Sequence, residues 1–158
     1  MTDVQIISQS LLNAVSETAK ASPRQRKNFN FHLHDHDICH RLLNALEPNT
    51  YIPPHRHLHP AKAESIVILR GKIGVLFFDA KGTIVQHHVL QPAGEVFGVN
   101  ISPGVYHSVV ALVSGSVFFE AKAGPYVPAT ADERPDWVPA ENSAGAAEYL
   151  AKMKKLFV

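Results

Sequence analysis

The sequence predicts an all-β domain, a sandwich or barrel, with one helix at each end. Three observations carry this. Eleven prolines and nine glycines in 158 residues mark frequent turns. Short extended runs recur at a spacing of about ten residues through the middle of the chain. Helical periodicity occurs only near the two ends. A length of 158 residues fits one domain, and 46% hydrophobic residues allow a substantial buried core.

The elements follow in order. Residues 3–20 read as a helix, because Val4, Ile7, Leu11, Ala14, Val15 and Ala19 recur every three or four positions. Thr2 or Asp3 can cap it, and Ser22-Pro23 ends it. Extended runs then occupy 28–34, 40–47, 50–57, 64–70, 72–79, 83–90, 95–100, 107–113 and 116–122. Turn formers divide them, among them Pro48-Asn49, Arg70-Gly71, Ser102-Pro103-Gly104 and Ser114-Gly115. The runs Ile66–Leu69 and Val109–Val113 are apolar on both faces, which predicts strands covered on both sides. Beyond Gly124-Pro125-Tyr126 a proline-punctuated arm should lie on the barrel and bury Tyr126 and Trp137. Residues 143–156 read as the second helix, capped by Asn142 or Ser143, with Ala147, Leu150 and Met153 or Lys154 facing inward. The organisation expected is residues 1–27 as helix and linker, 28–124 as barrel and 125–158 as arm and helix.

Charge and composition exclude several classes. Fifteen Lys and Arg against fourteen Asp and Glu give a formal net charge of +1, without the basic excess of a nucleic-acid or membrane-surface binder. No apolar run reaches membrane-spanning length, and no secretory signal is apparent. The expected location is cytoplasmic. The one cysteine, Cys39, fits a reducing compartment and reads as a small buried residue.

Ten histidines are the unusual feature. On a strand His55 and His57 point the same way, with Cα atoms roughly 6.6 Å apart, so two imidazoles can converge on one ion. Glu64 opens the next strand and can add a carboxylate oxygen. His107, after the turn Ser102-Pro103-Gly104, can bring a third imidazole. His59 is in phase too, but lies about 13 Å from His55, so the pair is His55/His57 or His57/His59. The first is preferred, since Pro60 ends the strand beside His59. Such a set predicts one divalent metal ion: Zn, Fe, Mn, Ni or Co. Tyr51, in phase with the histidines, and His32, near the barrel mouth, are candidate ligand-binding residues. Arg41, with Arg24, Arg26 and Arg56, is a candidate anion holder. His34 and His36 read as a solvated loop, and His87-His88 as an exposed strand pair.

These residues resemble the cupin superfamily. His55-x-His57 with Glu64-x6-Gly71 is similar to its first motif, G-x5-H-x-H-x(3,4)-E-x6-G, although six residues separate His57 from Glu64. Ser102-x-Gly104-x2-His107 is similar to the core of its second motif, with Ser102 for Pro and Ala111 for Asn. More closely, Asn28-Phe29-Asn30-Phe31-His32, Arg41 to Pro48, Tyr51 to His57 and Gly124-Pro125-Tyr126 resemble WbuC-type cupin-fold metalloproteins. That resemblance aligns the PHRH element with His55 and His57. It implies a metal-binding double-stranded β-helix in a surface-polysaccharide context and no particular substrate; the ligand expected for the open metal positions is a small carbohydrate or carboxylate. The expected function is a metal-dependent enzyme of isomerase, epimerase or dioxygenase type, or alternatively a non-catalytic module that binds a small molecule. Two-sided strands and the arm predict a homodimer.

Overall fold

The computed structural model describes residues 4–157 and builds two antiparallel sheets. After helix α1 (Gln9–Ala21) come strands β1 (Arg26–Asn30), β2 (Cys39–Leu46), β3 (Glu64–Arg70), β4 (Ile73–Phe78), β5 (Ile84–Leu90), β6 (Gly98–Ile101), β7 (Tyr106–Ala111) and β8 (Ser116–Ala123). A short 3-10 turn at Ala131–Glu133, helix α2 (Ala146–Lys154) and a closing 3-10 turn at Lys155–Phe157 complete the order. One sheet runs β1-β2-β8-β3-β6 and the other β5-β4-β7.

Alternation along the strands decides what each face buries. Leu46, Ile66, Ile68 and Phe118 of the five-stranded sheet meet Ile73, Val75, Leu90 and Val109 of the three-stranded sheet in one core. The opposite faces are also apolar, and the chain's own helices cover them. Leu12, Val15 and Ala19 of α1 pack on Leu43, Ala45 and Val117. Ala146, Leu150 and Met153 of α2 pack on Leu76, Phe78 and Val110. The two-sided strands are therefore accounted for without a partner subunit. At the β3–β4 turn Gly71 has φ +81°, and a Cβ there would lie 2.7 Å from the Ser116 Cα, so only glycine fits.

Several boundaries differ from expectation. Helix α1 starts at Gln9, with the Ser8 side chain accepting from the Leu11 N–H, so Val4 and Ile7 precede it and are exposed. Thr2 and Asp3 lie outside the described residues. Helix α2 starts after Gly145 without a side-chain cap, and Ala146 rather than Ala147 faces inward. The run 50–57 forms no strand. Pro53 and Pro54 have no N–H to offer a ladder, and only His55 makes a β-bridge. Cys39 is exposed at the start of β2, and Tyr126 is 59% exposed, so neither is buried as expected.

Met153 is fully buried where α2 meets the three-stranded sheet. Met153→Ala should cost about 2–5 kcal/mol, read from the urea midpoint. A loss below about 0.5 kcal/mol would show that α2 does not dock there.

Candidate metal centre

The segment before β3 is held against β7. His55 N–H donates to His107 O at 3.0 Å, His107 N–H returns a bond to His55 O at 2.9 Å, and Gly104 N–H donates to His57 O at 2.7 Å. These bonds put His55 and His57 on the same side as His107. Nitrogen atoms of the three rings lie within 4.8 Å of one another. Ring centroids are 4.6 Å apart for His55 and His107, 5.3 Å for His55 and His57, and 5.9 Å for His57 and His107.

Backbone carbonyls fix two of the rings. His55 Nδ1 lies 3.0 Å from Pro53 O, and His107 Nδ1 lies 2.9 Å from Val105 O. A proton on each Nδ1 satisfies those carbonyls and leaves a lone pair on each Nε2. His107 Nε2 is buried and has no hydrogen-bond partner, a costly arrangement for a polar atom unless something binds it. Glu64 joins the group: its Oε2 lies 3.1 Å from His57 Nε2 and 3.7 Å from His107 Nε2.

The electrostatics suit a cation. Burial, helped by neighbouring His107, pushes the His55 pKa down to about 3, so this ring is neutral at pH 7. Burial also opposes a positive His107, but the Glu64 carboxylate outweighs it and raises that pKa. Burial favours protonated Glu64, yet His107, His57 and Lys122 hold its pKa well below the usual range. Three imidazoles and one ionised carboxylate are a fitting donor set for a first-row divalent ion.

Behind Glu64 lies a charged network. Lys122 is the register partner of Glu64 across β3 and β8. Lys122 Nζ lies 2.5 Å from Glu120 Oε1, and Asn44 Nδ2 donates to Glu120 Oε2 at 2.7 Å. Burial and the Glu64 charge raise the Glu120 pKa, while Lys122 and Asn44 oppose them. Sequence reasoning missed Asn44, Glu120 and Lys122. The signal was alternation on β8, where Glu120 and Lys122 are in phase with inward-facing Phe118.

A cavity of about 450 Å³ extends from His55 and His57, past His40 and Lys122, to Arg24 and Arg26. The arm at 125–140 forms much of its wall. The arm is tied to the histidine segment, because Arg56 N–H donates to Glu133 O at 3.0 Å and Leu58 N–H to Glu133 Oε1 at 2.9 Å. Trp137 Nε1 donates to Ala80 O at 3.1 Å.

The remaining candidates lie elsewhere. Tyr51 does not line this cavity: it packs against α2 residues, and its hydroxyl donates to Pro139 O at 2.9 Å. The cause is loss of strand phase before Pro53-Pro54. Arg41 alternates to the outer face of β2, beside Phe31, Leu33 and Phe119. His32 is buried and stacks on His40 at 4.0 Å between centroids, one ring removed from the cavity. His59 is exposed, with its Nδ1 accepting from the Ala61 N–H. His34 and His36 sit on an exposed loop. Arg56 stacks on the Tyr106 ring, 4.4 Å from its centroid.

Arg24 and Arg26 both hold Glu141. Arg24 Nε and Nη2 each donate at 2.8 Å, and Arg26 Nη2 donates at 2.9 Å. Arg24 foremost, with Arg26, lowers the Glu141 pKa from 4.5 to about 2. A lowered carboxylate pKa stabilises the fold above the unfolded value, and that contribution is lost as pH falls towards 2. Glu141→Gln should therefore flatten the fall in urea midpoint between about pH 4.5 and 2. An unchanged acid limb would show that the clamp adds no stability.

Comparison with known proteins agrees with this architecture. A family profile described as a domain of unknown function, DUF6016, matches residues 7–90, a span that includes His55, His57 and Glu64. No curated protein sequence matches the chain. Among solved structures, KdgF from Halomonas sp. is similar with a TM-score of 0.51 and 14% identity over 67% of this chain and 84% of that one. Oxalate decarboxylase from Lactobacillus farciminis, in a formate complex, gives 0.47 and 21% over 65% of this chain and 28% of that one. A mutant of Bacillus subtilis oxalate decarboxylase OxdC gives 0.46 and 23% over 58% and 22%. The chain thus spans about a quarter of the length of those decarboxylases. The fold is a single-domain cupin, and the chain belongs to the DUF6016 family.

Proposed function

We propose that this protein holds one divalent metal ion on His55, His57, His107 and Glu64 and presents it to a small molecule in the adjoining cavity. The observation that carries this reading is the convergence of three imidazoles on a point where a buried His107 Nε2 has no other partner. When bound, the ion supplies Lewis acidity to an oxygen of the ligand. The chain's own residues orient the donors. Pro53 and Val105 carbonyls fix the ring tautomers, while His107 and His57, with Lys122 behind them, keep Glu64 ionised. The arm at 125–140 walls the ligand from water.

The similarity of the PHRH element to WbuC-type proteins supports a place in surface-polysaccharide metabolism, with a sugar or hydroxy acid as ligand. A single test addresses the centre. Protein purified without a histidine tag should contain close to one divalent ion per chain by elemental analysis, lose it to a chelator and regain it on addition of the metal. Occupancy below about a tenth after exposure to Zn, Fe, Mn, Ni and Co would reject the centre.

A further inference from the structure

We infer that the ligand is a small organic acid with a hydrocarbon body, not a polyhydroxylated sugar. This rests on the proposed metal centre and narrows its substrate class. Much of the cavity lining is apolar, with Pro53, Pro54, Val127, Pro135, Val138 and Pro139 on it. Prolines offer no N–H, so this part of the lining is poor in donors as well as apolar. Among the described residues lining the cavity none is Asn, Gln, Ser, Thr or Asp.

The polar groups present are few for a polyol: beside the imidazoles, the Tyr126 hydroxyl is the one neutral polar side-chain group on the lining. Each sugar hydroxyl both donates and accepts, and bonds left unmade against an apolar lining cost affinity. The one side-chain carboxylate on the lining, Glu141, is already engaged by Arg24 and Arg26. His40 Nε2 is engaged by Asp35 O at 3.1 Å. What the lining supplies instead is positive charge. Lys62 and Arg134 border the cavity with no ion-pair partner among the described residues, and Arg24 and Arg26 share a single carboxylate. Cationic surroundings and a largely apolar lining match an anionic carboxylate head joined to an alkyl or aryl body.

A matched set of probes tests this by calorimetry on the metal-loaded protein. 2-Hydroxy-4-methylpentanoate and D-gluconate share one 2-hydroxy acid head and differ in body, while 2-hydroxy-4-methylpentanamide keeps the body and loses the charge. The branched acid should bind at least about tenfold more tightly than either of the others. Gluconate or the amide binding equally well would overturn the assignment. Val127 is 54% exposed on the wall, so Val127→Asp should fold normally. It should weaken the branched acid about tenfold with metal content unchanged, whereas unchanged affinity would overturn the assignment. Metal content separates the two claims: a chain that takes up no ion refutes the centre and this inference together, and an ion-loaded chain without the stated preference refutes the inference alone.

Discussion

Replacing His107 with alanine should leave a folded protein that no longer retains its ion. The ring is 2% exposed, its Nδ1 is committed to Val105 O, and its Nε2 has no hydrogen-bond partner, with Glu64 Oε2 3.7 Å away. Loss of outer hydrogen-bond partners alone weakens metal sites by about 10–100-fold, so loss of a donor should exceed about 100-fold. Elemental analysis after dialysis, with circular dichroism to confirm the fold, measures it. His59→Ala is the matching control and should keep full occupancy, because His59 lies outside the cluster. Near-stoichiometric metal in His107→Ala would remove this residue from the donor set.

Lys122→Met should be the most destabilising change near the site in metal-free protein. It removes the ammonium paired with buried Glu120 and one of the groups, after His107 and His57, that hold buried Glu64 ionised. Breaking one side of a buried ion pair typically costs about 3–5 kcal/mol, and urea unfolding would read it. Two rescues distinguish charge from packing. Adding Glu120→Gln should recover a large part of the loss, since it removes the surplus negative charge. Saturating divalent metal should also recover part, because the ion compensates Glu64 directly. A loss that neither treatment reduces would make Lys122 a packing residue and nothing more.

The histidines of this site were legible from their spacing, although His55 and His57 are brought together by an isolated bridge to His107 and a bond from Gly104 and not by a regular strand. The spacing of His55 and His57 specified a shared direction, and Gly104 before His107 marked the turn that returns a third imidazole. Strand alternation failed for Tyr51. Two consecutive prolines interrupt the strand it was counted from, so its phase was not that of the histidines, and its hydroxyl went to Pro139 O instead. Glu120 and Lys122 were passed over for the opposite reason. Charged residues are ordinarily at the surface, and their phase with Phe118 on β8 was the one sign in the sequence that these two turn inward. Cys39 misled by its composition: it belongs to an element's first residue, where burial has not yet begun. Helix α2 was visible by periodicity, but its start shifted because Gly145 precedes it without a capping side chain.

The histidines sit on the barrel's edge, whereas much of the cavity wall comes from the segment after β8. The proposed donors and much of the proposed ligand wall thus come from different stretches, joined where Glu133 of the arm accepts from the Arg56 and Leu58 N–H groups. Exchanging the 125–140 segment should therefore alter ligand preference, and should leave the ion's cradle intact only if the substitute keeps a carboxylate at position 133.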